Sequence, residues 1–355
     1  MKLLLLGGFL GAGKTTVIEE AVKYLQSQGH TTAVITNDQG NKLVDTGYLQ
    51  QHSNIVEQVK DGCFCCNYDQ LSDVLRLLEK KTPEFIFAEA VGSCTDMVAT
   101  VIKPLQKQFV QISSIFTVVV DASLLFRQIQ EQKFIFKKEV QYIWQTQLQE
   151  ADIIIVSKID ELPLRFHASL KQSVLKKYVG KKILFQNNKE QQAVMNWISV
   201  VNNFEIKPRL SAEVDYAIYA EGEAALAWLD AELKIEGDEA NLVAEKLIEN
   251  FKRSIDKKEW QIGHLKFLVK NKFEKRKISF TSALENQWER LSFSESDDVT
   301  IILNARIECE PDELYKVFTE TIAFVECQNT SVTVEQINYF KPGFPRPIHQ
   351  VMELI

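Results

Sequence analysis

The chain has 355 residues, of which 45% are hydrophobic and 25% charged, and its formal net charge is −7. This composition is ordinary for a folded globular protein of about two domains. The net negative charge, without clustered lysine and arginine, argues against a nucleic-acid partner. The apolar run Leu3–Leu6 is too short for a signal peptide or a membrane span, so we expect a cytoplasmic protein with no membrane partner.

The first half of the chain alternates short apolar segments with amphipathic helical segments. This pattern predicts an α/β fold with a doubly wound, mostly parallel sheet over residues 1–204. Together with the Walker A spacing of residues 8–15, it is the fold of a P-loop NTPase. Helices are predicted after the cysteine motif and at about residues 190–200. The predicted strands are Lys2–Leu6, Thr32–Thr36, Phe85–Ala88, Ile115–Val120, Ile153–Val156 and Ile183–Phe185.

A change in composition around Pro208 predicts a domain boundary, after which residues 205–355 form a second, smaller α+β domain. Proline and acidic residues at 311–313 predict the start of a helix, because proline suits the first turn and acids favour the positive end of the helix dipole. The closing segment, 340–347, is expected to be extended and packed. The other predicted elements are a helix at about 239–255 and strands at 262–269, 277–281 and 299–308.

A Walker A segment, Gly8-Phe-Leu-Gly-Ala-Gly-Lys14-Thr15, lies between the first predicted strand and a predicted helix. Its glycines allow backbone N–H groups to turn towards a phosphate. We expect Lys14 to neutralise the β- and γ-phosphates and Thr15 to bind Mg²⁺ through its hydroxyl. A chance glycine-rich turn is the disfavoured alternative. The predicted phosphate-binding residues are Gly8, Gly11, Ala12, Gly13, Lys14, Thr15 and Thr16.

Two further predicted strands run into acidic residues, Asp38 and Glu89. Ligands of open α/β sheets bind beyond the carboxyl ends of the strands, where such acids can hold Mg²⁺ directly or through water. We therefore assign catalytic roles to Lys14, Asp38 and Glu89, and a γ-phosphate contact to the backbone N–H of Gly92. For Asp45, a turn or cap role is as well supported as a functional one.

A base-recognition segment, Ser157-Lys158-Ile159-Asp160, follows a predicted strand. A carboxylate at Asp160 can accept two hydrogen bonds from guanine, and the stem of Lys158 can lie on the base. GTPases usually have asparagine in place of Ser157, and we expect the shorter hydroxyl not to make the loop-bracing and base contacts of asparagine. A surface turn after a strand is the alternative.

Three cysteines lie within four positions, in the motif Gly62-Cys63-Phe64-Cys65-Cys66. Three thiols so placed can converge on Zn²⁺ or another soft or borderline ion and leave a position for a fourth donor. Glu57 is a candidate oxygen ligand. The alternative is apolar packing of the thiols. The remaining cysteines are isolated in sequence, and core packing is expected for each of them: Cys94, Cys309 and Cys327.

The P-loop and the Gly-Cys-x-Cys-Cys motif together resemble the CobW-like metallochaperone GTPases, relatives of the urease and hydrogenase nickel-insertion GTPases. The resemblance covers about residues 1–160. It implies that the P-loop binds GTP and Mg²⁺, and that Cys63, Cys65 and Cys66 hold Zn²⁺ or Co²⁺, with Ni²⁺ also open. It further implies slow GTP hydrolysis, a conformational switch, delivery of metal to a client metalloprotein, and a homodimer across the nucleotide.

The resemblance does not extend clearly to residues 205–355, where recognition of a client or cofactor is expected. A second hypothesis is therefore a GTP-driven activase or chaperone for a metallocofactor enzyme, for example a cobalamin enzyme, with structural cysteines. A third is a nucleotide-binding module without hydrolysis.

Overall fold

The computed structural model describes residues 1–38, 55–60, 62–131, 134–282, 292–325 and 329–354, except for the side chains of residues 38 and 60. The described chain forms two compact units. The first takes the described residues up to 222 together with 344–354, and the second takes 223–343. No helix within these ranges is long and apolar enough to cross a membrane.

Parallel strands form the centre of the first unit, which confirms the predicted α/β sheet. Within the described residues the sheet has seven strands in the order β3-β2-β4-β1-β5-β6-β7. Edge strand β3 was missed because its sequence, Val-Glu-Gln-Val-Lys, has only two apolar residues. The strands are β1 (Lys2–Gly7), β2 (Thr32–Asp38), β3 (Val56–Lys60), β4 (Phe85–Glu89), β5 (Ser113–Asp121), β6 (Ile153–Ser157) and β7 (Lys182–Phe185).

Helices connect these strands and cover the sheet. The first helix packs its apolar stripe, which includes Val17, Ala21 and Leu25, against Leu4 of β1 and Trp197 of a later helix. This burial fixes the start of the helix at the end of β1. The helices are α1 (Lys14–Ser27), α2 (Tyr68–Lys81), α3 (Lys103–Gln108, preceded by a π-helical turn, Val98–Ile102), α4 (Ala122–Gln130), α5 (Lys138–Glu150), α6 (His167–Lys177), α7 (Gln191–Asn202) and α8 (Tyr216–Ala224).

The segment from 205 to 222 packs on the first unit, although the sequence predicted a boundary after residue 204. Arg209 explains this difference. Its guanidinium donates to both carboxylate oxygens of Asp152, at 3.0 Å from Nε and 2.6 Å from Nη2, and to the Ser114 carbonyl at 2.6 Å. Asp152 also accepts the N–H of Phe116. Arg209 and Asp152 are 57 residues apart, so no pattern among neighbouring residues indicates that they pair.

An antiparallel sheet forms the second unit and confirms the predicted α+β character of this region. Its order in the described residues is β10-β9-β11-β8-β12, and two helices share a core with it that includes Leu233, Phe251, Phe267 and Phe318. Strands β8 and β12 were not predicted. The elements are β8 (Ala227–Gly237), α9 (Ala240–Lys257), β9 (Ile262–Lys270), β10 (Lys275–Phe280), β11 (Asp298–Ile307), α10 (Pro311–Val325) and β12 (Thr330–Phe340).

Replacing Arg209 tests the anchor of the 205–222 segment. Both partners of the Arg209–Asp152 pair are largely buried, with side-chain exposures of 6% and 13%. Arg209→Leu should therefore lower the free energy of unfolding by about 3–5 kcal/mol, because it leaves the Asp152 charge unpaired. The matched control is Arg76→Leu, which breaks an exposed pair with Asp73 and should cost under about 1 kcal/mol. Equal losses in chemical denaturation would contradict the assignment.

Candidate nucleotide and metal site

Loops at one edge of the first sheet carry most of the predicted site residues. Because all seven described strands run parallel, their carboxyl ends lie along a common edge. The P-loop follows β1, Glu89 ends β4, and Ser157 ends β6. This is the edge at which open α/β sheets bind ligands.

The P-loop has the backbone conformation of a phosphate cradle. Gly8 has φ 121°, and a Cβ there would lie 2.0 Å from the Val119 carbonyl oxygen. Gly13, with φ 95°, is the N-cap of α1. The first N–H groups of a helix have no acceptor within the helix and can bind a ligand. The Lys14 ammonium donates to the Gly8 carbonyl at 2.9 Å, across the loop. A helix amino terminus opened by glycines in this way favours an anionic ligand.

Thr15 and Glu89, predicted on separate grounds, meet at this edge. The Thr15 hydroxyl lies 3.0 and 3.1 Å from the two carboxylate oxygens of Glu89 and donates to that carboxylate. β1 and β4 are neighbours, with Leu6 opposite Glu89 in the register, which brings the two side chains together. Neutral and anionic oxygen donors at this spacing are the ligand type that Mg²⁺ prefers.

Two other predicted nucleotide contacts have different outcomes. Asp38 ends β2, but its side chain lies outside the described residues, as does all of Asp45. Gly92 packs on the P-loop, since a Cβ there would lie 2.6 Å from Leu10 Cδ2 and 3.0 Å from the Leu10 backbone nitrogen. A side chain at position 92 would therefore displace the P-loop.

Gln147 of α5 holds the loop after β4. Its amide nitrogen donates to the carbonyl of Gly92 at 3.0 Å and to that of Cys94 at 2.8 Å, and the side chain is buried. The two N–H groups of the Gln147 amide thus hold Gly92 and Cys94, the two ends of a three-residue segment. Sequence reasoning gave this residue no role, because α5 is remote from the loop along the chain.

Ser157 braces the P-loop, contrary to the sequence-based expectation. Its hydroxyl lies 2.7 Å from the Ala12 carbonyl and 3.0 Å from the Val120 carbonyl, and the residue is fully buried. The expectation that a serine side chain is too short to brace the P-loop was wrong. The end of β6 lies so close to the P-loop that the Ser157 hydroxyl reaches the Ala12 carbonyl directly.

The remaining base-recognition residues follow β6 in a short turn. Lys158, with φ 55°, pairs with Asp121 at 2.9 Å, and Asp121 also accepts the N–H groups of Ser123 and Leu124 at the start of α4. Burial alone would lower the pKa of Lys158, but the Asp121 carboxylate raises it. The lysine therefore stays charged, with its stem held in place. Asp160 is exposed to solvent in this turn.

Two buried amide side chains after β7 also lie at this edge of the sheet. Sequence reasoning did not identify them. Gln186 donates to the side-chain oxygen of Asn188 at 3.1 Å, and both are buried. A Cβ on Gly13 would lie 3.3 Å from the Asn188 amide nitrogen, so this loop lies against the P-loop. The only sequence signal was a polar cluster after a short strand.

The three motif cysteines converge in the turn before α2. Cys66 and Asn67 donate their N–H groups to the Cys63 carbonyl, at 3.1 and 2.9 Å, which folds the motif into a helical turn. The Sγ atoms of Cys63 and Cys65 lie 2.8 Å apart, and those of Cys65 and Cys66 lie 3.8 Å apart. Among the described residues these three form the group with metal-ligand geometry.

One thiol of this group ionises much more readily than the others. Hydrogen bonds donated by Cys65, Cys66 and Cys94 hold the pKa of Cys63 well below its ordinary value. Donation to Cys63 raises the pKa of Cys65 well above its ordinary value and that of Cys66 to about 11. Cys63 is therefore the thiol of this group that loses its proton first.

Cys94 agrees with expectation and Glu57 differs from it. Cys94 was predicted to pack in the core, and it is buried there, with 2% of its surface exposed. Glu57 was a candidate metal ligand, but it pairs with Lys81 at 3.1 Å. Cys309 packs against the core of the second unit, as predicted, and Cys327 lies outside the described residues.

The closing segment of the chain lies on the cysteine motif. Ile348 donates its N–H to the Cys65 carbonyl at 3.0 Å, and the Arg346 N–H bonds to Cys66. The ring of His349 meets that of Tyr68 edge-on, with centroids 4.5 Å apart. For the predicted packing of residues 340–347 the outcome is mixed, because Pro345 is buried but Phe344 is 56% exposed.

Comparison with known proteins identifies the family of this chain. Residues 2–186 match the family described as CobW/HypB/UreG, nucleotide-binding domain, which is just over half of the 355 residues. The chain belongs to the CobW/HypB/UreG family. Its first unit is therefore a nucleotide-binding domain, in agreement with the P-loop geometry.

Individual relatives in this family match shorter stretches. Zinc chaperone YjiA of Escherichia coli (strain K12) is 35% identical over 98 residues, covering 26% of this chain and 30% of that protein. Zinc chaperone CobW of Sinorhizobium sp is 25% identical over 177 residues, covering 43% and 49%. The chain thus spans at most about half the length of these two relatives.

A solved structure of HypB from Helicobacter pylori in complex with nickel is 16% identical to this chain, with a TM-score of 0.42. The similar region covers 57% of this chain and 85% of that one.

Removing the Ser157 hydroxyl tests its bracing role. Ser157→Ala removes the hydroxyl that donates to the Ala12 carbonyl at 2.7 Å, which should destabilise the fold by about 1–3 kcal/mol. We expect nucleotide affinity, measured by titration calorimetry, to fall about tenfold, equivalent to about 1.4 kcal/mol. The control, Ser169→Ala, removes an exposed hydroxyl bonded to the Phe166 carbonyl and should change neither quantity. Unchanged nucleotide affinity in Ser157→Ala would refute the bracing role.

The raised thiol pKa values predict a steep pH dependence of metal binding. Protonated Cys65 and Cys66 must release their protons when they bind Zn²⁺, so binding becomes tighter as pH rises. Between pH 6 and 8 the apparent Zn²⁺ affinity should rise by at least about tenfold per pH unit, since Cys66, with a pKa of about 11, releases one proton on binding over this whole range. Chelator competition at several pH values measures this slope, and Cys66→Ser should lower it. A pH-independent affinity would contradict the prediction.

Proposed function

We propose that the chain is a GTP-binding and GTP-hydrolysing metallochaperone that couples its nucleotide state to a cysteine-bound metal, Zn²⁺ or Co²⁺. The observation that carries this proposal is the presence of a P-loop and a three-thiol cluster in one folded unit. Membership of the CobW/HypB/UreG family supports the nucleotide part, and the two zinc chaperones support the metal part.

The residues around Thr15 fit a magnesium ion. Mg²⁺ binds oxygens at 2.0–2.1 Å in an octahedron, so two adjacent ligands lie about 2.9 Å apart. The Thr15 hydroxyl and the Glu89 carboxylate are already 3.0 Å apart. When bound, the ion would neutralise charge on the β- and γ-phosphates. Thr15 would hold it directly, and Glu89 would hold it directly or through water.

Lys14 and the P-loop backbone would orient the nucleotide. Lys14 lies within reach of the phosphate positions from its bond across the loop to Gly8. The N–H groups at the start of α1 would bind the β-phosphate. Gly92, which packs on Leu10, would donate its N–H to the γ-phosphate, so its loop would respond to hydrolysis. Asp38 remains a proposed catalytic acid on the basis of sequence.

Guanine is the proposed base. Asp160 follows β6 and is accessible to accept hydrogen bonds from guanine N1–H and its exocyclic amine. The Lys158 stem, fixed by Asp121, would lie on the base. Ser157 and the Gln186–Asn188 pair would shape the rest of this pocket.

A bonded connection joins the nucleotide edge to the thiols. Asn37, at the end of β2, donates its side-chain amide to the Gly62 carbonyl at 3.1 Å, directly before Cys63. Through this hydrogen bond, a displacement of the β2 loop on nucleotide binding would move the cysteine turn. The metal would be cargo for a client metalloprotein, in keeping with a cytoplasmic location. A homodimer across the nucleotide stays a prediction.

Metal affinity measured with and without nucleotide tests the proposal. Zn²⁺ affinity of the reduced full chain is measured by chelator competition, alone and with Mg·GTP. We expect a change of about 5–150-fold on adding nucleotide, the usual range of coupling between two sites. Cys65→Ala should abolish tight binding, and Lys14→Ala should abolish the nucleotide effect alone.

Controls separate the proposal from its rivals. Cys309→Ala, which removes a thiol of the second unit, should match the unaltered chain. Tight binding unaffected by GTP would indicate a structural metal site and favour the activase hypothesis. GTP binding with no turnover above that of Lys14→Ala would indicate a binding module. Mg·ATP in place of Mg·GTP tests base preference.

A further inference from the structure

Gln147 makes polar contacts that set the shape of the loop after β4. Its amide nitrogen donates to the carbonyls of Gly92 and Cys94, and only 1% of the residue is exposed. Its Oε1 is buried and accepts no hydrogen bond within the described residues. Because a buried acceptor without a partner is unfavourable, an apolar side chain of the same length would serve packing better. The two donated bonds are therefore what this amide contributes.

The bonds within this loop determine the direction of the Gly92 N–H. Cys94 donates its N–H to the Val91 carbonyl at 3.0 Å, which closes a turn over residues 91–94. In a trans peptide the carbonyl and the N–H point in opposite directions, so the Gly92 N–H points away from the Cys94 N–H. Glycine has wide conformational freedom. Gln147 restricts that freedom, because it holds the carbonyls of Gly92 and Cys94 together.

We propose that Gln147 is a positioning residue that holds the Gly92 N–H in place for the γ-phosphate and so sets the preference for GTP over GDP. This inference rests on the proposed function, in which Gly92 donates to the γ-phosphate. Donors act best when they are already aimed at the charge that they stabilise. GDP has no γ-phosphate, so its binding does not depend on the direction of this N–H.

Helix α5 gives Gln147 a fixed base. Trp144, one turn earlier in this helix, is 1% exposed and anchors it in the core. Glu150, one turn later, accepts the N–H groups of Met97 and Val98 at 3.2 and 3.0 Å. Residues three apart lie on the same face of a helix, so Gln147 and Glu150 together hold the loop and the residues that follow it. A loop held in this way loses little freedom when a ligand binds.

Nucleotide affinities of a Gln147 variant test the inference. Gln147→Met keeps the length of the side chain but donates no hydrogen bond. With Mg²⁺ present, the affinity of the full chain for a non-hydrolysable GTP analogue should fall about tenfold, whereas its affinity for GDP should stay within about twofold. The kcat for GTP should fall by at least about tenfold. The matched control, Gln149→Met, changes an exposed glutamine of the same helix and should alter none of these quantities.

The ratio of the two affinities separates positioning from a general structural role. A ratio unchanged by Gln147→Met would overturn the inference and leave the proposed GTPase intact, because equal losses indicate a structural role alone. If the unaltered chain binds neither nucleotide, the proposed function fails together with the inference. If Gln147→Met does not fold, Gln147→Glu provides the same test, because a carboxyl group has at most one hydrogen to donate and cannot hold both carbonyls.

Discussion

Parallel pairing of the first seven described strands is the constraint on which the rest of the site depends. It places the carboxyl ends of β1, β2, β4 and β6 along one edge, so residues separated by more than 140 positions come within hydrogen-bonding distance. Thr15 meets Glu89 because β1 and β4 are neighbours. Ser157 meets Ala12 because the loops after β1 and β6 converge.

The central position of β1 has a second effect. β1 lies between β4 and β5, so the P-loop lies between the loops that follow those strands. On one side Gly92 touches Leu10, and on the other Gly8 touches the backbone of Val119. Neither position tolerates a side chain, which explains why glycine is needed there for packing as well as for conformation. The P-loop is therefore confined by close contacts on both of its sides.

Local signals predicted one part of this site from the sequence. The Walker A spacing, the acid at the end of β4 and the clustered cysteines can each be recognised from neighbouring residues in the sequence. In the structure the Walker A segment follows β1, Glu89 ends β4, and the cysteines form one turn. The α/β and α+β characters followed from apolar periodicity. Glu89 in particular was assigned from its place at a strand end, and its contact with Thr15 is consistent with that assignment.

The missed features depend on tertiary distances. Ser157 was judged by the length of its side chain, whereas the separation of two loops decides what it reaches. Arg209 and Gln147 act on partners more than 50 residues away. Edge strand β3 carried too few apolar residues to be recognised.

The second unit is an insertion in the sequence of the first, since residues 344–354 return to the first unit after it. During synthesis from the amino terminus, the cysteine turn emerges long before Arg346 and Ile348, which later bond to Cys66 and Cys65. The thiols are therefore uncovered on the nascent chain until some 280 further residues have been made. Metal acquisition or thiol oxidation in that interval would occur on a turn that still lacks its final covering segment.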